Sequence, residues 1–483
     1  MILVTGATGY VGGRLVERLL QEGYHVRVIV RDPDRLIGRP WLKSVEVTTG
    51  DVLDRNSLSQ ALSGIDSAYY LVHSMLGEKN FSNIDKIGAE NFGYAAKENN
   101  VKRIIYLGGL GNPKKSLSVH LKSRHETGSI LSKSGVPVTE FRAAIIVGSG
   151  SISFEMIRDL TERIPVMVTP RWVTSRVQPI SISNVLDYLV AALKKNKSIG
   201  QIIEIGGEDI VTYKDMMIGY AKARRLKRFI ITVPVLTPRL SSYWIHFVTP
   251  VSKTIAKPLI DGLKNEVVVT NNTAKEIFPE IKPMNYTMAL KNTLKRLESG
   301  HTPTSWRDAL SSSLQDGKKN VALASLEGII IEKRATVINA SESLVYDNFI
   351  TLGGGRGWLY CNWLWQVRGV VDRIFGGVGL RRGRRNPTDL RIGDALDFWR
   401  VVDLKSNKSL RLFAEMKLPG KAWLQFETKK NNDHQTTLYQ TAFFAPRGLA
   451  GIAYWYLLYP IHKLIFKGLS KKLKLSIEHS SIN

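Results

Sequence analysis

The chain has 483 residues, 43% of them hydrophobic and 23% charged: too long for one ordinary domain, and of a composition that excludes disorder over most of its length. Its 68 Lys and Arg against 42 Asp and Glu leave a formal charge of +26, which favours acidic partners such as phosphorylated cofactors, anionic lipid or nucleic acid. The single cysteine, Cys361, excludes an intrachain disulfide and a multi-cysteine zinc site.

Met1 leads directly into the apolar run Ile2-Leu3-Val4, without a basic segment followed by an apolar leader. No apolar stretch is long enough to cross a bilayer; Leu449 to Tyr459 comes nearest and meets Pro460. The chain is therefore expected in the cytoplasm, with a peripheral position at the inner membrane face left open.

Strand-like and helix-like patterns alternate from Met1 to about Leu297. Residues 2–5 read as a buried strand. Residues 11–22 carry a helical apolar period (Val11, Leu15, Leu19, Leu20), Gly23 closes that helix, and Val26 to Val30 form the second strand. Further strands are expected near 45–48, 67–72, 103–107 and 138–147, and helices near 56–62, 82–99 and 119–133. Such alternation implies βαβ units: an α/β fold with a doubly wound parallel sheet, binding its ligand at the carboxyl ends of the strands.

The first strand-to-helix turn is Thr5-Gly6-Ala7-Thr8-Gly9-Tyr10-Val11-Gly12. Gly6 permits a tight turn, Gly9 lets backbone N–H groups approach a pyrophosphate, and Gly12 allows close packing; the helix N-terminus then holds the anion. Because the glycines follow a strand and open a helix, the turn reads as a dinucleotide site, with Thr8, Tyr10 and Val11 beside the phosphates. Arg31 ends the second strand, about where NAD-binding proteins place an acid for the ribose 2′-hydroxyl. A guanidinium there suits a 2′-phosphate, so NADP is expected over NAD, although the adjacent Asp32 is able to take the opposite role. Asp51, in the pair Gly50-Asp51, reads as a strand-end turn near the adenine.

The glycine turn, Val30-Arg31-Asp32-Pro33, Gly50-Asp51 and the strand Arg103 to Leu107 resemble atypical and extended short-chain dehydrogenase/reductases, including the NmrA-like branch, over about residues 1–300. The segment Pro234 to Trp244 resembles a bacterial subgroup of NAD(P)-binding oxidoreductases that carries an extra C-terminal domain of unknown function. The resemblance implies a Rossmann domain and a Ser-Tyr-Lys triad, with the lysine lowering the tyrosine pKa beside the hydride. Here the serine position reads Gly108-Gly109, His120 stands where tyrosine is expected, and Arg124 stands where lysine is expected. Histidine is a competent acid or base near neutral pH. His73, after the fourth strand, is a further candidate, and each histidine equally suits an ordinary hydrogen-bonding role.

From Glu298 the chain turns polar, so the expected organisation is a dinucleotide domain over 1–298, a linker over 299–320 and a second domain over 321–483. Six of the ten tryptophans lie in the second domain, with strand patterns near 326–338, 396–403, 409–417, 422–429 and 436–444 and a closing helix. Antiparallel strands followed by a long helix suggest an α+β helix-grip arrangement. Gly357 to Asp394 and Glu415 to Gly420 resemble the accessory domain of that subgroup, which looks like a START or Bet-v-1-type fold with an apolar cavity. Trp363, Trp365, Trp399 and Trp423 then either line a pocket for a small apolar ligand or fill a core.

Two basic features complete the reading: the loop Arg381-Arg382-Gly383-Arg384-Arg385, and Lys463, Lys467, Lys471 and Lys474 along one helix face. Both suit anionic lipid or plain solvation. Neither comes with a nucleic-acid-binding signature, so nucleic acid is not an expected partner. No metal site is expected, and the oligomeric state is not legible. Two functions stay open: an NAD(P)H-dependent oxidoreductase acting on an apolar carbonyl or quinone, and a non-catalytic NADP-binding protein whose second domain holds a lipid or partner.

Overall fold

The run Ile2–Thr5 (β1) is buried at every position, as a central strand covered on both faces must be. In the computed structural model the described residues are 1–36, 39–73, 81–113, 116–233, 261–299, 321–326, 328–374, 379, 384 and 390–480. The chain divides into two units, Met1–Gln315 and Asp316–Asn483. Pro234 to Trp244, the linker from 300 to 320, and Arg381, Arg382 and Arg385 lie outside the described residues.

In the first unit the chain runs through helix α1 (Tyr10–Gln21), β2 (Val26–Val30), β3 (Glu46–Thr49), α2 (Arg55–Leu62), β4 (Ser67–Tyr70), α3 (Phe81–Glu98), β5 (Arg103–Gly109), α4 (Val119–Ser132) and β6 (Val138–Ala143). It continues through β7 (Ile146–Val147), α5 (Ile152–Arg163), β8 (Val166–Pro170), β9 (Arg176–Val177), β10 (Ile180–Ser181), α6 (Ile182–Ala192) and β11 (Ile202–Ile205). The main sheet has seven strands in the order β11-β6-β5-β4-β1-β2-β3, and every pairing is parallel. Side-chain alternation along β1 sends Ile2 and Val4 to the core under α1 and α6, and Leu3 to the core under α2 and α3. This is a doubly wound α/β sheet. Its strand order reverses beside β1, between β2 and β4, and a crevice opens at the carboxyl ends there.

The strand expected over 138–147 is two elements. After Ala143 the backbone leaves the main sheet, and β7 pairs with β10 instead. From there the chain builds a lobe with its own apolar core, which also takes in β12 (Val211–Thr212), α7 (Tyr213–Ala223), β13 (Phe229–Val233) and α9 (Tyr286–Ser299); α8 (Thr273–Ile277) packs instead against the main sheet's core. β13 lies parallel to β8, and β12 antiparallel to β9.

The second unit is a single antiparallel sheet with helices. Its strands are β14 (Val321–Leu326), β15 (Ile329–Ile338), β16 (Ala395–Leu396), β17 (Trp399–Lys405), β18 (Ser409–Ala414), β19 (Gly420–Asn432) and β20 (Gln435–Pro446), in the order β14-β15-β20-β19-β18-β17-β16. Two helices absent from the sequence reading, α10 (Glu342–Ile350) and α11 (Asn362–Ile374), interrupt them, and α12 (Gly448–Ser480) closes the unit. α12 continues past Pro460, where the apolar run was expected to stop. Trp455 before it and Ile465, Phe466, Leu469, Leu473 and Ile477 after it are buried in one core, so packing on both sides holds the helix across the missing N–H.

The four tryptophans, read as lining a pocket or filling a core, do not share one environment. Trp365 and Trp399 pack with Trp358 inside the core, at ring-centroid distances of 5.2 and 6.1 Å from Trp358. Trp423 lies across from Phe413 and Phe443 in the sheet register, outside that core, and Trp363 is 61% exposed. Among the described residues no helix is long and apolar enough to cross a membrane.

One buried cation stitches the main sheet to the end of α6. Arg103 opens β5 at 4% exposure and donates to Thr139 Oγ1 at 2.9 Å, to Lys195 O at 3.2 Å, and to Ala192 O and Ser198 Oγ. Arg103→Met removes these bonds from a buried site; Ala192 O and Lys195 O keep backbone N–H donors from Lys195 and Ser198, while Thr139 Oγ1 and Ser198 Oγ lose theirs, so unfolding stability should fall by roughly 1–3 kcal/mol. Urea unfolding measures this, and a change within about 0.5 kcal/mol would contradict it.

Candidate functional site: a nucleotide cleft ending on a histidine pair

The crevice beside β1 is built from the glycine turn. Gly6 has φ +68°, which disfavours any side chain, and a Cβ there would sit 2.7 Å from Leu71 O. A Cβ on Gly12 would overlap the Gly6 carbonyl, so the turn closes only with hydrogen at both positions. Thr5 Oγ1 donates to Tyr69 O (3.0 Å) and accepts from Leu71 N (2.9 Å), which ties the carboxyl end of β1 to that of β4. Helix α1 begins at Tyr10, and the first N–H groups of a helix have no carbonyl a turn behind them. They form an anion seat of the kind that holds a pyrophosphate.

Thr5, Gly6, Thr8, Gly9, Arg31, Asp51 and His73 all line the cleft. Tyr10 and Val11, expected beside the phosphates, contribute backbone N–H groups at the start of α1, while the Tyr10 ring lies under Arg14 (4.7 Å) and the Val11 side chain packs on the core; Gly12 meets Gly6. Asp32 does not line the cleft; its carboxylate accepts from Asp34 N at 3.0 Å in a local turn. A second guanidinium takes its place. Arg35, on the short 3₁₀ turn Pro33–Leu36, lines the cleft with Arg31. The four-residue spacing Arg31 to Arg35 was the available signal for it. Asp51 is held by its own turn, its Oδ1 accepting from Leu53 N at 3.0 Å.

At the far end of the cleft, beyond β4, stands His73. Its Nδ1 lies 2.8 Å from Asp85 Oδ2 on α3, and its Nε2 lies 3.1 Å from His120 Nδ1 on α4. Ser123 Oγ donates to the same Asp85 oxygen at 3.2 Å. His73 and His120 were singled out separately in the sequence; the fold joins them and adds Asp85, which is 3% exposed. Burial is the main cause lowering both imidazole pKa values below the usual 6.5. Asp85 opposes the shift in each case; Arg124 reinforces it, and His73 lowers His120 further. Both rings are therefore mainly neutral at neutral pH. With Asp85 ionised, the network assigns the proton on His73 to Nδ1, so His73 Nε2 accepts from His120 Nδ1–H. That leaves the Nε2 lone pair of His120 as the end of the chain.

Arg124 has a different task from the lysine it replaces. Its guanidinium donates to Val72 O (3.3 Å) and Leu107 O and lies over the Tyr106 ring (4.9 Å). It clamps the ends of β4 and β5 beneath the histidines. At Gly109 a Cβ would press on Leu121 at 2.9 Å, and the Gly109 carbonyl is engaged by His125 Nε2 at 3.0 Å. Among the described residues no cluster of His, Cys, Asp and Glu is arranged to hold a metal.

Residues 6–145 match the family model described as NAD(P)H-binding, and residues 332–469 match that of a protein family of unknown function, DUF2867. The first unit is an NAD(P)-binding Rossmann domain. The chain is 24% identical over 339 residues to sterol demethylase protein B of Methylococcus capsulatus, covering 65% of this chain and 96% of that one. It is 26% identical over 239 residues to the ceramide reductase of Caulobacter vibrioides, covering 48% of this chain and 74% of that one. Among solved structures, the triphenylmethane reductase of Citrobacter sp. superimposes with a TM-score of 0.51 at 20% identity, over 61% of this chain and 99% of that one. The NADPH-dependent quinone oxidoreductase of Escherichia coli complexed with NADPH does so with 0.50 at 18%, over 61% and 100%. These two likenesses establish the shared fold.

Arg31 and Arg35 generate a prediction on cofactor choice. Arg31→Ala should weaken NADPH by roughly tenfold or more, the size of a charge-assisted hydrogen bond, and leave NADH nearly unchanged. Fluorescence titration with both nucleotides reads the ratio, and an unchanged ratio would contradict a 2′-phosphate seat.

Proposed function

We propose that this protein is an NADPH-dependent oxidoreductase that interconverts an apolar carbonyl compound or quinone and its hydroxyl form. The observation that carries the reading is the Asp85–His73–His120 chain, whose middle member lines the nucleotide cleft. When bound, the nicotinamide supplies or takes up the hydride. The glycine turn and the N-terminus of α1 seat the pyrophosphate, and Arg31 with Arg35 pairs with the 2′-phosphate. His120 Nε2 exchanges the proton: as imidazolium it donates to the carbonyl oxygen during reduction, and as neutral base it accepts the hydroxyl proton during oxidation. His73, held by Asp85, accepts from His120 Nδ1 and fixes the ring's tautomer. Arg124 holds the strand ends that present His73.

Names of relatives and neighbours support the substrate class: a ceramide reductase, a sterol demethylase protein and an NADPH-dependent quinone oxidoreductase. A second reading, a non-catalytic NADP-binding protein, is favoured by Gly108-Gly109 in place of a carbonyl-orienting serine and by the commitment of Arg124 to backbone.

Turnover decides between them. NADPH oxidation should appear with members of a panel of quinones, aldehydes and sterol or sphingoid ketones. His120→Gln should lower kcat by about 10²–10⁴ with little change in NADPH affinity. Tight NADPH binding with no turnover on the whole panel would favour the binding-protein reading. The depressed histidine pKa values fix the sign of the pH dependence. Oxidation needs the neutral ring, so its rate should hold through pH 6.5 and fall only at lower pH. Reduction needs the imidazolium, so its rate should climb as pH falls through the same range. A reduction rate independent of pH would remove His120 from the proton path.

A further inference from the structure

Helix α11 carries its apolar residues on the outside. Trp363, Val367, Val370, Val371 and Ile374, spaced by 4, 3, 1 and 3, fall on one side of the helix and are 61%, 50%, 46%, 39% and 75% exposed. The opposite side is buried through Trp365, Gly369 and Asp372. A helix with apolar residues on both sides, one of them facing water, has a face still to be covered.

Helix α12 shows a second such face in the same unit. Tyr456, Leu457, Ile461 and Leu464 are 54%, 78%, 43% and 53% exposed, again at helical spacing. Lys463, Lys467 and Lys471 flank and continue it, are exposed, and form no ion pair with a described residue; Lys474 is half-buried and lies 3.7 Å from Glu478. Glu478 is the only acidic residue in all of α12. The two helices are neighbours: Tyr360, just ahead of α11, lies against Gly468, where a Cβ would overlap its ring. On α11 the only acid, Asp372, is turned inward, accepting from Gly379 N (2.9 Å) and Lys417 N (2.7 Å).

We propose that α11 and α12 together form a docking face for an anionic lipid bilayer, with the apolar stripes entering the headgroup boundary and the lysines meeting phosphate and carboxylate headgroups. Exposed apolar residues beside cations, with no exposed acid on either helix outside Glu478, complement an anionic interface. The long lysine stems are able to lie along the apolar face while their ammonium groups reach out. Trp363 opens α11, and an indole suits the headgroup level.

The test is co-sedimentation of the full chain with phosphatidylcholine vesicles, pure or containing about one third phosphatidylserine. Binding should require phosphatidylserine and weaken as salt is raised. Replacing Lys463, Lys467 and Lys471 with Gln, all exposed and so harmless to folding, should lower partitioning on the order of a hundredfold. Val367→Asp with Ile374→Asp should lower it at least about tenfold while NADPH affinity and near-ultraviolet circular dichroism stay unchanged. Absence of wild-type binding to the anionic vesicles at low salt would overturn the proposal. So would equal binding by the lysine variant. If the aspartate pair instead changes the oligomeric state and leaves vesicle binding intact, the face is a protein interface and the bilayer assignment falls.

Discussion

A carboxylate at 3% exposure must have its lone pairs met inside the protein, and Asp85 meets two of those demands with His73 Nδ1 and Ser123 Oγ. The three groups come from α3, from the chain just after β4 and from α4. Satisfying Asp85 therefore fixes how these elements meet at the end of the sheet. His73 has one ring nitrogen spoken for by the carboxylate, so only its other nitrogen is left to face His120. The orientation of the histidine pair follows from a desolvation cost and is not a separate provision. Arg124 works on the same corner from below, drawing Val72 O and Leu107 O together so that the backbone leading to His73 is held.

The other end of the cleft rests on steric exclusion. Gly6 and Gly12 touch where any Cβ would overlap backbone, and Thr5 joins the ends of β1 and β4 with a single hydroxyl. The result places a helix N-terminus, two guanidinium groups and His73, with His120 behind it, along one cleft; in the proposed function these supply positive potential for the phosphates and a proton path beside the hydride. The NAD(P)-binding assignment and the proposed chemistry thus draw on different ends of one construction.

Much of the first unit was legible in the sequence because each βα step is local: a strand, a glycine, a helical period. The glycine turn announced the nucleotide end, and the His120-to-Arg124 spacing announced that something stood where a Tyr-Lys pair is expected. Asp85 was not legible. A carboxylate within Asn83-Ile84-Asp85-Lys86 reads as surface, and its burial depends on α4 arriving 38 residues later. The role of Arg124 was likewise set by contacts between elements. In the second unit the strand pattern came through, whereas α11 did not: Trp363 and Trp365 within it were read as pocket or core residues. The 363, 367, 370, 371, 374 spacing was present in the sequence but pointed outward, opposite to the usual inference from an apolar stripe.

His73 and His120 form one coupled, mainly neutral pair anchored by Asp85, with His73 lining the nucleotide cleft. Long-range proton–nitrogen NMR of the histidine rings in the full chain tests it most directly. Both rings should stay neutral as pH falls through 6.5, His73 should be protonated at Nδ1, and both resonances should shift when NADP⁺ is added. Two independent titrations near 6.5, unmoved by the nucleotide, would contradict it.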